Sequence, residues 1–400
     1  MDSQASTTNL LKSTSSVHDI TLEKPPFGSR FLTDETEVWT QNAWDHVPPP
    51  DDQDEIIAAS LLRQRGAPVS DPEKQKYHER PARHWDNFYR MNSSNFFKNR
   101  KWLHNEFREL ISATEPEAGP VTIVEVGCGA GNSVFPLLTE NRNPDLSLRA
   151  YDYSRHAVKL VQENPLYTSP PIGTIEAAVW DLTSETLPDS VTPASVDIVI
   201  MVFVFSALHP DEWTQAVSNV HKMLKPGGLV VFRDYGRYDM AQLRFKGGRL
   251  LEDNFYIRGD KTRVYFFEMD ELSLLFTGLR AKSQQELLPV VTEVIEDDSE
   301  NSTATPPPIT TADRKVTEED CTVTPPLTEA REENPLAIAA VDVREPHIHP
   351  NLVSTSLPAL FTAEQLGIDR RLLLNRKRQV KMYRVWMQAK FRKLNNTMSN

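Results

Sequence analysis

The residues with chemical potential gather around one short run, Glu125-Val126-Gly127-Cys128-Gly129-Ala130-Gly131, which follows the apolar stretch VTIVEV. Glycines at alternate positions let the backbone bend sharply and approach a ligand at a strand-to-helix turn. A dinucleotide fingerprint, GxGxxG, would place its third glycine at position 132. That residue is Asn132, and the pattern is GxGxG. This weakens a pyrophosphate cradle and favours an adenosyl-methionine ligand. Asp152 ends the next apolar run, 25 residues after Gly127, where a carboxylate can accept both hydroxyls of a ribose. Asp181 ends the third run, where the adenine amine of such a ligand would lie. A glycine-rich turn alone is often only structural. Gly127, Gly129, Asp152 and Asp181 at successive strand ends form a more specific cofactor set.

The elements that must position these residues begin at Val121. Apolar runs VTIVEVG, LSLRAYD (146–152), IEAAVWD (175–181), VDIVIMVFV (196–204) and GLVVFRDY (228–235) alternate with helical patterns such as RHAVKLVQEN and DEWTQAVSNVHKML. This alternation predicts an α/β domain with a parallel sheet and crossover helices. The second helix stops at KPGG. NFYIRGDKTRVYFF predicts a hairpin turning at Gly259-Asp260, and MDELSLLFTGL a helix. LLLNRKRQVKMYRVWMQAKF reads as a final strand with a basic lead-in. Upstream, residues 1–24 are Ser/Thr-rich without a period and are expected to be a disordered tail. PPPDDQDE breaks structure before the helical IIAASLLRQR, and Tyr77–Leu110 is expected to be helical and is dense in aromatics. Residues 283–350 are acidic, rich in proline and poor in apolar residues, which predicts a disordered insertion.

The 400 residues suit one large α/β domain with extensions, or two domains. A hydrophobic content of 39% can supply a core, while 29 prolines and a mean hydropathy of -0.46 point to sizeable unstructured parts. No apolar run reaches eighteen residues, and the N-terminus lacks a secretory core, so no membrane span or leader is expected. Two cysteines argue against a disulfide framework or a Cys-based zinc site, no metal is expected, and a reducing, cytoplasmic setting is expected. The net charge of -12 is uneven. Ser283–His347 carries -11 and Met1–Lys76 carries -6, which leaves the body at +5. The acidity sits in the extensions and the body is basic.

The stretches FGSRFL, NAWD, HWDNFYR, NFFKNRKWL, EVGCGAGNSVFPLL, FVFSALHPD, LKPGGLVVFRDYGRYDMAQLRFK, NFYIRGDKTRVYFF and MYRVWMQAKF resemble the methyltransferase-like enzymes that form N3-methylcytidine at position 32 of the tRNA anticodon loop. With YDYS, NPLY and WDLT the likeness spans residues 27–282 and 370–394. FGSRFL…NAWD is similar to the branch acting on threonine tRNA rather than the shorter serine-tRNA branch. The resemblance implies a class I Rossmann-like methyltransferase: a mostly parallel seven-stranded sheet with helices on both faces, plus an N-terminal helical extension. It divides the chain into a tail (1–24), an extension with cofactor lid and tRNA-binding helices (25–110), a methyltransferase domain (111–282 and 351–400) and the acidic insertion (283–350). It implies S-adenosylmethionine as cofactor, tRNA as substrate, serine tRNA as a second candidate, and room for an aminoacyl-tRNA synthetase or other accessory partner. Carried over, the cofactor contacts are Trp85, Tyr89, Gly127, Asp152, Asp181, Leu182 and Val202. Trp85 and Tyr89 are four apart and share a helix face, which the family uses as a lid. Core packing is their structural alternative.

The chain lacks the [DN]PP[YFW] motif of amino-directed methyltransferases and holds Ser206-Ala207-Leu208-His209-Pro210 in its place. No cysteine is placed to attack a pyrimidine carbon. Both absences fit transfer to a ring nitrogen, whose in-plane lone pair needs only alignment and exclusion of water. The product base is cationic, so Asp234 is the candidate electrostatic stabiliser, with pairing to Arg233 or Arg237 as its structural alternative. His209 is a candidate pocket wall. Phe203 and Phe205 are candidates for stacking on a flipped cytosine, with core packing as the alternative. Basic clusters mixed with aromatics suggest phosphate contacts. They are Arg90, Lys98, Arg100 and Lys101 with Phe96, Phe97 and Trp102; then Arg244, Lys246 and Arg249; then Arg376, Lys377, Arg378 and Lys381. A methyltransferase of the same fold acting on a small molecule or protein would not need them. A non-catalytic scaffold would be expected to lose the glycine loop or Asp152, and both are intact.

Overall fold

Strand-forming runs and their order decide where the glycine loop ends up. The computed structural model describes residues 30–94, 96–281, 347–353 and 356–395. Its strands are β1 (Ala43–Asp45), β2 (Val121–Val126), β3 (Leu146–Asp152), β4 (Thr174–Val179), β5 (Val196–Val202), β6 (Leu224–Tyr235), β7 (Leu250–Glu252), β8 (Phe255–Ile257), β9 (Arg263–Tyr265), β10 (Phe361–Asn375) and β11 (Val380–Lys393). Eight of them form one sheet in the order β1-β10-β11-β6-β5-β2-β3-β4. The pairs from β4 through β6 are parallel. β11 runs against both β6 and β10, and β1 runs against β10. The seven strands expected are therefore all there, and Ala43–Asp45 of the N-terminal extension adds an eighth at the edge. The order reverses at β2, where β3 and β5 flank it on opposite sides, and ligands bind at such switch points.

Burial on both faces explains the continuous apolar runs of the central strands. One cluster holds Val124, Val126, Val199, Met201, Val230 and Phe232 with Trp213, Val217 and Phe276. The other holds Ile123, Leu148, Ile198, Ile200 and Val231 with Leu110, Leu138 and Val158. Successive residues of a strand thus feed opposite cores, and helices cover both faces. Among the described residues the α-helices, in chain order, are α1 (Gln53–Arg65), α2 (Asp71–Glu79), α3 (Pro81–Asn92), α4 (Leu103–Glu106), α5 (Arg108–Thr114), α6 (Val134–Glu140), α7 (Arg155–Gln162), α8 (Pro165–Thr168), α9 (Trp213–Met223), α10 (Met240–Leu243), α11 (Met269–Thr277) and α12 (Pro350–Val353).

Two local expectations need correction. Tyr77–Leu110 is not continuously helical. Pro81 opens α3 at its first position, where a missing N–H costs nothing, and Ser93 at φ 50° ends it. Residues 96–102 have no helix. The C-terminal segment is a long antiparallel hairpin of β10 and β11, not one strand with a lead-in. Its basic residues Arg376, Lys377 and Arg378 form the exposed turn. The hairpin expected at Gly259-Asp260 is present, with Ile257 opposite Arg263 in a small sheet β7-β8-β9. Among the described residues no helix is long and apolar enough to cross a membrane. The expectations for 1–24 and for 283–346 fall outside the described residues.

Candidate active site

A cavity of about 580 Å³ lies at the carboxyl ends of the parallel strands, lined by the loops after β2, β3, β4, β5 and β6. Gly127, Gly129 and Gly131 all have positive φ, at 64°, 54° and 82°. A Cβ at 129 would stand 2.4 Å from the Tyr89 hydroxyl, and one at 127 would stand 2.2 Å from Val204 Cγ2. Both dihedral and close approach therefore require glycine. The loop also orients Asp152, which lines the cavity. Gly129 N–H donates to its Oδ2 at 2.9 Å and Ser154 N–H to its Oδ1 at 2.8 Å. Each oxygen keeps a lone pair for a ligand hydroxyl. Burial pushes this carboxyl up to about 6, against the pull of those two N–H groups. Asp181 also lines the cavity and is exposed, with Oδ1 accepting from the Thr183 N–H and hydroxyl. Leu182 lies beside it in the wall.

Helix α3 closes over this end. Trp85 and Tyr89 line the cavity with ring centroids 5.9 Å apart, and Phe88, Phe96 and Phe97 pack with them. Asp86 fixes the helix: it accepts from Ser154 Oγ at 2.7 Å and His156 N–H at 3.3 Å, at the start of α7. Nothing in the spacing of Asp86 marks it in the sequence. Beneath the glycine loop Glu125 is fully buried, and burial pushes it up to about 7 although Arg100 lies 3.2 Å away. Arg100 also donates to Ser133 Oγ at 2.9 Å. It lines the cavity, yet its guanidinium is spent on Glu125 and Ser133 rather than offered to a phosphate.

On the other side of the switch point, Phe203 adopts φ 56° and enters the cavity wall. Its ring lies 5.0 Å from Tyr235 and 6.4 Å from Trp386, both lining residues. Below them Arg233 is sandwiched between Trp102 at 4.8 Å and Trp386 at 4.6 Å and pairs with Asp369. Phe205 departs from the expected stacking role. It is fully buried among Trp213, Phe232, Phe267 and Phe276, because the turn after Val204 swings it into the core. Asp234 sits one residue behind the wall and does not line the cavity. Its Oδ2 accepts the Ser206 N–H at 2.9 Å and its Oδ1 the Tyr235 N–H at 2.8 Å. Burial raises it to about 6. It pairs with neither arginine considered: Arg233 takes Asp369 and Arg237 takes Glu268. His209 is also outside the lining, with its ring against His78 at 4.6 Å and Phe255 at 5.6 Å. Val202 is buried in β5 just before the wall.

Of the basic residues, Lys98 and Arg100 reach the cavity, while Arg90 and Lys101 are exposed outside it. Arg244, Lys246, Arg376, Lys377, Arg378 and Lys381 are exposed and none of them lines it. Arg258 and Arg384 do line it, and the sequence reading missed both as substrate-side candidates. Each lies inside a strand or hairpin pattern that gives no sign of which face it occupies.

The glycine turn after the first parallel strand, an oriented carboxylate after the second, a further carboxylate after the third and a reversed last strand define a class I Rossmann-like methyltransferase. The donor set fits S-adenosylmethionine: Asp152 keeps free acceptors, the glycine loop leaves backbone bare, and aromatic rings cover the site. A family profile described as a methyltransferase domain matches residues 124–230. The chain is 38% identical to the tRNA N(3)-methylcytidine methyltransferase trm140 of Schizosaccharomyces pombe, over 96% of this chain and 97% of that protein. It is 40% identical to the tRNA(Thr) (cytosine(32)-N(3))-methyltransferase of Saccharomyces cerevisiae, over 91% of this chain but 45% of that longer protein. It is 38% identical to the tRNA N(3)-cytidine methyltransferase METTL2 of Danio rerio, over 66% of this chain and 83% of that one. The chain belongs to the tRNA N(3)-methylcytidine methyltransferase family, and its cofactor is S-adenosylmethionine.

Proposed function

We propose that this chain methylates N3 of cytosine 32 in the anticodon loop of threonine tRNA, with serine tRNA as a second substrate, in the cytoplasm. The observation that carries this reading is the identity to the fission-yeast relative along nearly the whole of both chains. The exposed basic residues around the body supply phosphate contacts. An aminoacyl-tRNA synthetase or similar accessory protein belongs to the same reading as a partner.

S-adenosylmethionine supplies a sulfonium methyl that is electrophilic without further activation. Asp152 accepts the ribose hydroxyls, Asp181 the adenine amine, and Trp85 and Tyr89 cover the site. Cytosine N3 already has an in-plane lone pair, so no residue must take a proton first. The work left to the protein is alignment and exclusion of water. Phe203, Tyr235 and Trp386 supply rings for a base flipped out of the loop. The same rings favour the base once it becomes cationic. Asp234 holds two points of that wall in place through the N–H groups of Ser206 and Tyr235.

Nucleoside analysis of tRNA from cells lacking the gene tests the assignment. Loss of N3-methylcytidine from threonine tRNA, restored by the intact chain, is the expected result. Unchanged N3-methylcytidine, with no transfer by the purified protein to threonine tRNA, would overturn it.

A further inference from the structure

A second cavity, of about 310 Å³, is lined by the segment from Val47 into α1, the loop after β6, and one face of the β10–β11 hairpin. The hairpin register explains its charge. Arg370 lies opposite Val385 and Ile368 opposite Met387, so these four share a face. Asp369 and Arg371 alternate onto the other face, where they meet Arg233, Glu106 and Asp45. Arg370 is left alone on the cavity side. Its guanidinium has no hydrogen bond or ion pair among the described residues. The other two arginines of the lining have carboxylates of their own: Arg237 lies 2.7 Å from Glu268, and Arg384 lies 2.8 Å from Asp239. Three guanidiniums line the cavity against the carboxylates of Asp54 and Glu268, and Asp239, the partner of Arg384, lies outside the lining.

We propose that this cavity is an anion site that holds a backbone phosphate of the substrate RNA beside the nucleotide being methylated. The proposal rests on the tRNA reading above. Position bears on it: Arg384, opposite Arg371 in the register, lines both this cavity and the active one, so the hairpin alone separates the two. Chemistry favours it too. A guanidinium presents a planar fork that matches two phosphate oxygens, and Tyr383 in the same lining can donate its hydroxyl. Burial disfavours the charge of Arg370, and the Glu268 carboxylate opposes that effect in part. The folded chain therefore bears a cost that an arriving anion relieves.

The test uses the full chain with Arg370→Gln and Arg370→Lys. Arg370→Gln should weaken tRNA binding about tenfold and lower the slope of log affinity against log salt by about 1. Arg370→Lys should recover part of the affinity, S-adenosylmethionine affinity should not change, and Tm should stay level or rise. An anticodon stem-loop with methylphosphonate linkages flanking the target cytosine should bind wild type more weakly but leave Arg370→Gln unaffected. Equal tRNA affinity and salt slope in wild type and Arg370→Gln would overturn the proposal, provided the wild type methylates tRNA. If the wild type neither binds nor methylates tRNA, the functional reading falls and this site with it. If pyrophosphate raises the Tm of wild type only, while the methylphosphonates have no effect, the site takes a free phosphate compound and the RNA assignment is overturned.

Discussion

In the proposed site Asp152 accepts the ribose hydroxyls only as a carboxylate, and its burial works against that form. With its carboxyl raised to about 6, S-adenosylmethionine affinity should fall as pH drops through 6 and level off above 7. Asp152→Ala should weaken binding tenfold or more at neutral pH, on the order of 1.4 kcal/mol, and remove that pH dependence. Calorimetry across pH checks both, and an unchanged affinity would show that the ribose contact is misassigned. The stability of the free protein moves the other way. A folded value above the unfolded one means that ionisation is harder in the folded state, so stability is lost as pH rises from about 4 through 6. Asp152→Asn should flatten that loss, as judged from Tm between pH 4 and 8. Asp234 shows what a sequence hides at this scale. Its place at a strand end is legible, but the phase of a uniformly apolar run is not, and Tyr235 takes the wall while Asp234 takes the back. Asn at this position offers one acceptor oxygen where two N–H groups need acceptors. Asp234→Asn should therefore lower Tm and the single-turnover methylation rate together. A slower rate with unchanged Tm and binding would instead restore direct charge stabilisation by Asp234.

β1 is three residues long and still closes the sheet edge that β10 would otherwise expose. Trp44 anchors it. Its ring packs with Val38, Leu372 and Leu374, and its Nε1–H donates to the Val38 carbonyl at 2.7 Å. Trp44→Ala should cost about 3–5 kcal/mol, visible as a lower Tm and a stronger tendency to aggregate. S-adenosylmethionine affinity should hold, because β10, β11, β6 and β5 separate this edge from the glycine loop on β2. Lost affinity at constant Tm would contradict that. No sequence pattern marks NAWD as a strand, since three residues give no period. β2, β3, β5 and β6 were legible because burial makes them largely apolar, and the more exposed edge strand β4 was legible by its place in the alternation. β10 was not, because Gln365, Asp369, Arg370 and Arg371 interrupt its alternation, and three of these four meet partners or a cavity that only the fold supplies. Likewise Trp85 and Tyr89 show their common face by spacing, whereas Asp86, which pins that face, depends on Ser154 68 residues away.

At the scale of the whole chain, charge is separated along the sequence. Residues 290–345 hold 14 acidic and four basic side chains, so their removal takes the net charge from -12 to -2. The described residues on either side have anchors on α11: Ala281 N–H donates to Asp270 at 3.0 Å and His349 N–H to Glu271 at 2.9 Å. A short linker joining residues 289 and 346 should leave these anchors in place. Deletion of 290–345 should therefore keep Tm and S-adenosylmethionine affinity unchanged, since polar, proline-rich sequence contributes little to a core. Its effect should fall on RNA. Acidic residues tethered to a basic body compete with phosphates for the same cations, and that competition is strongest when salt is low. The deletion should tighten tRNA binding by several-fold at about 50 mM salt and by much less at about 300 mM, where screening already weakens the competitor. Titrations at both salts, on wild type and deletion, separate this from a conformational effect, which would persist at high salt. A large fall in Tm would show that the segment builds part of the fold, and unchanged tRNA affinity at low salt would show that it does not compete for the basic face.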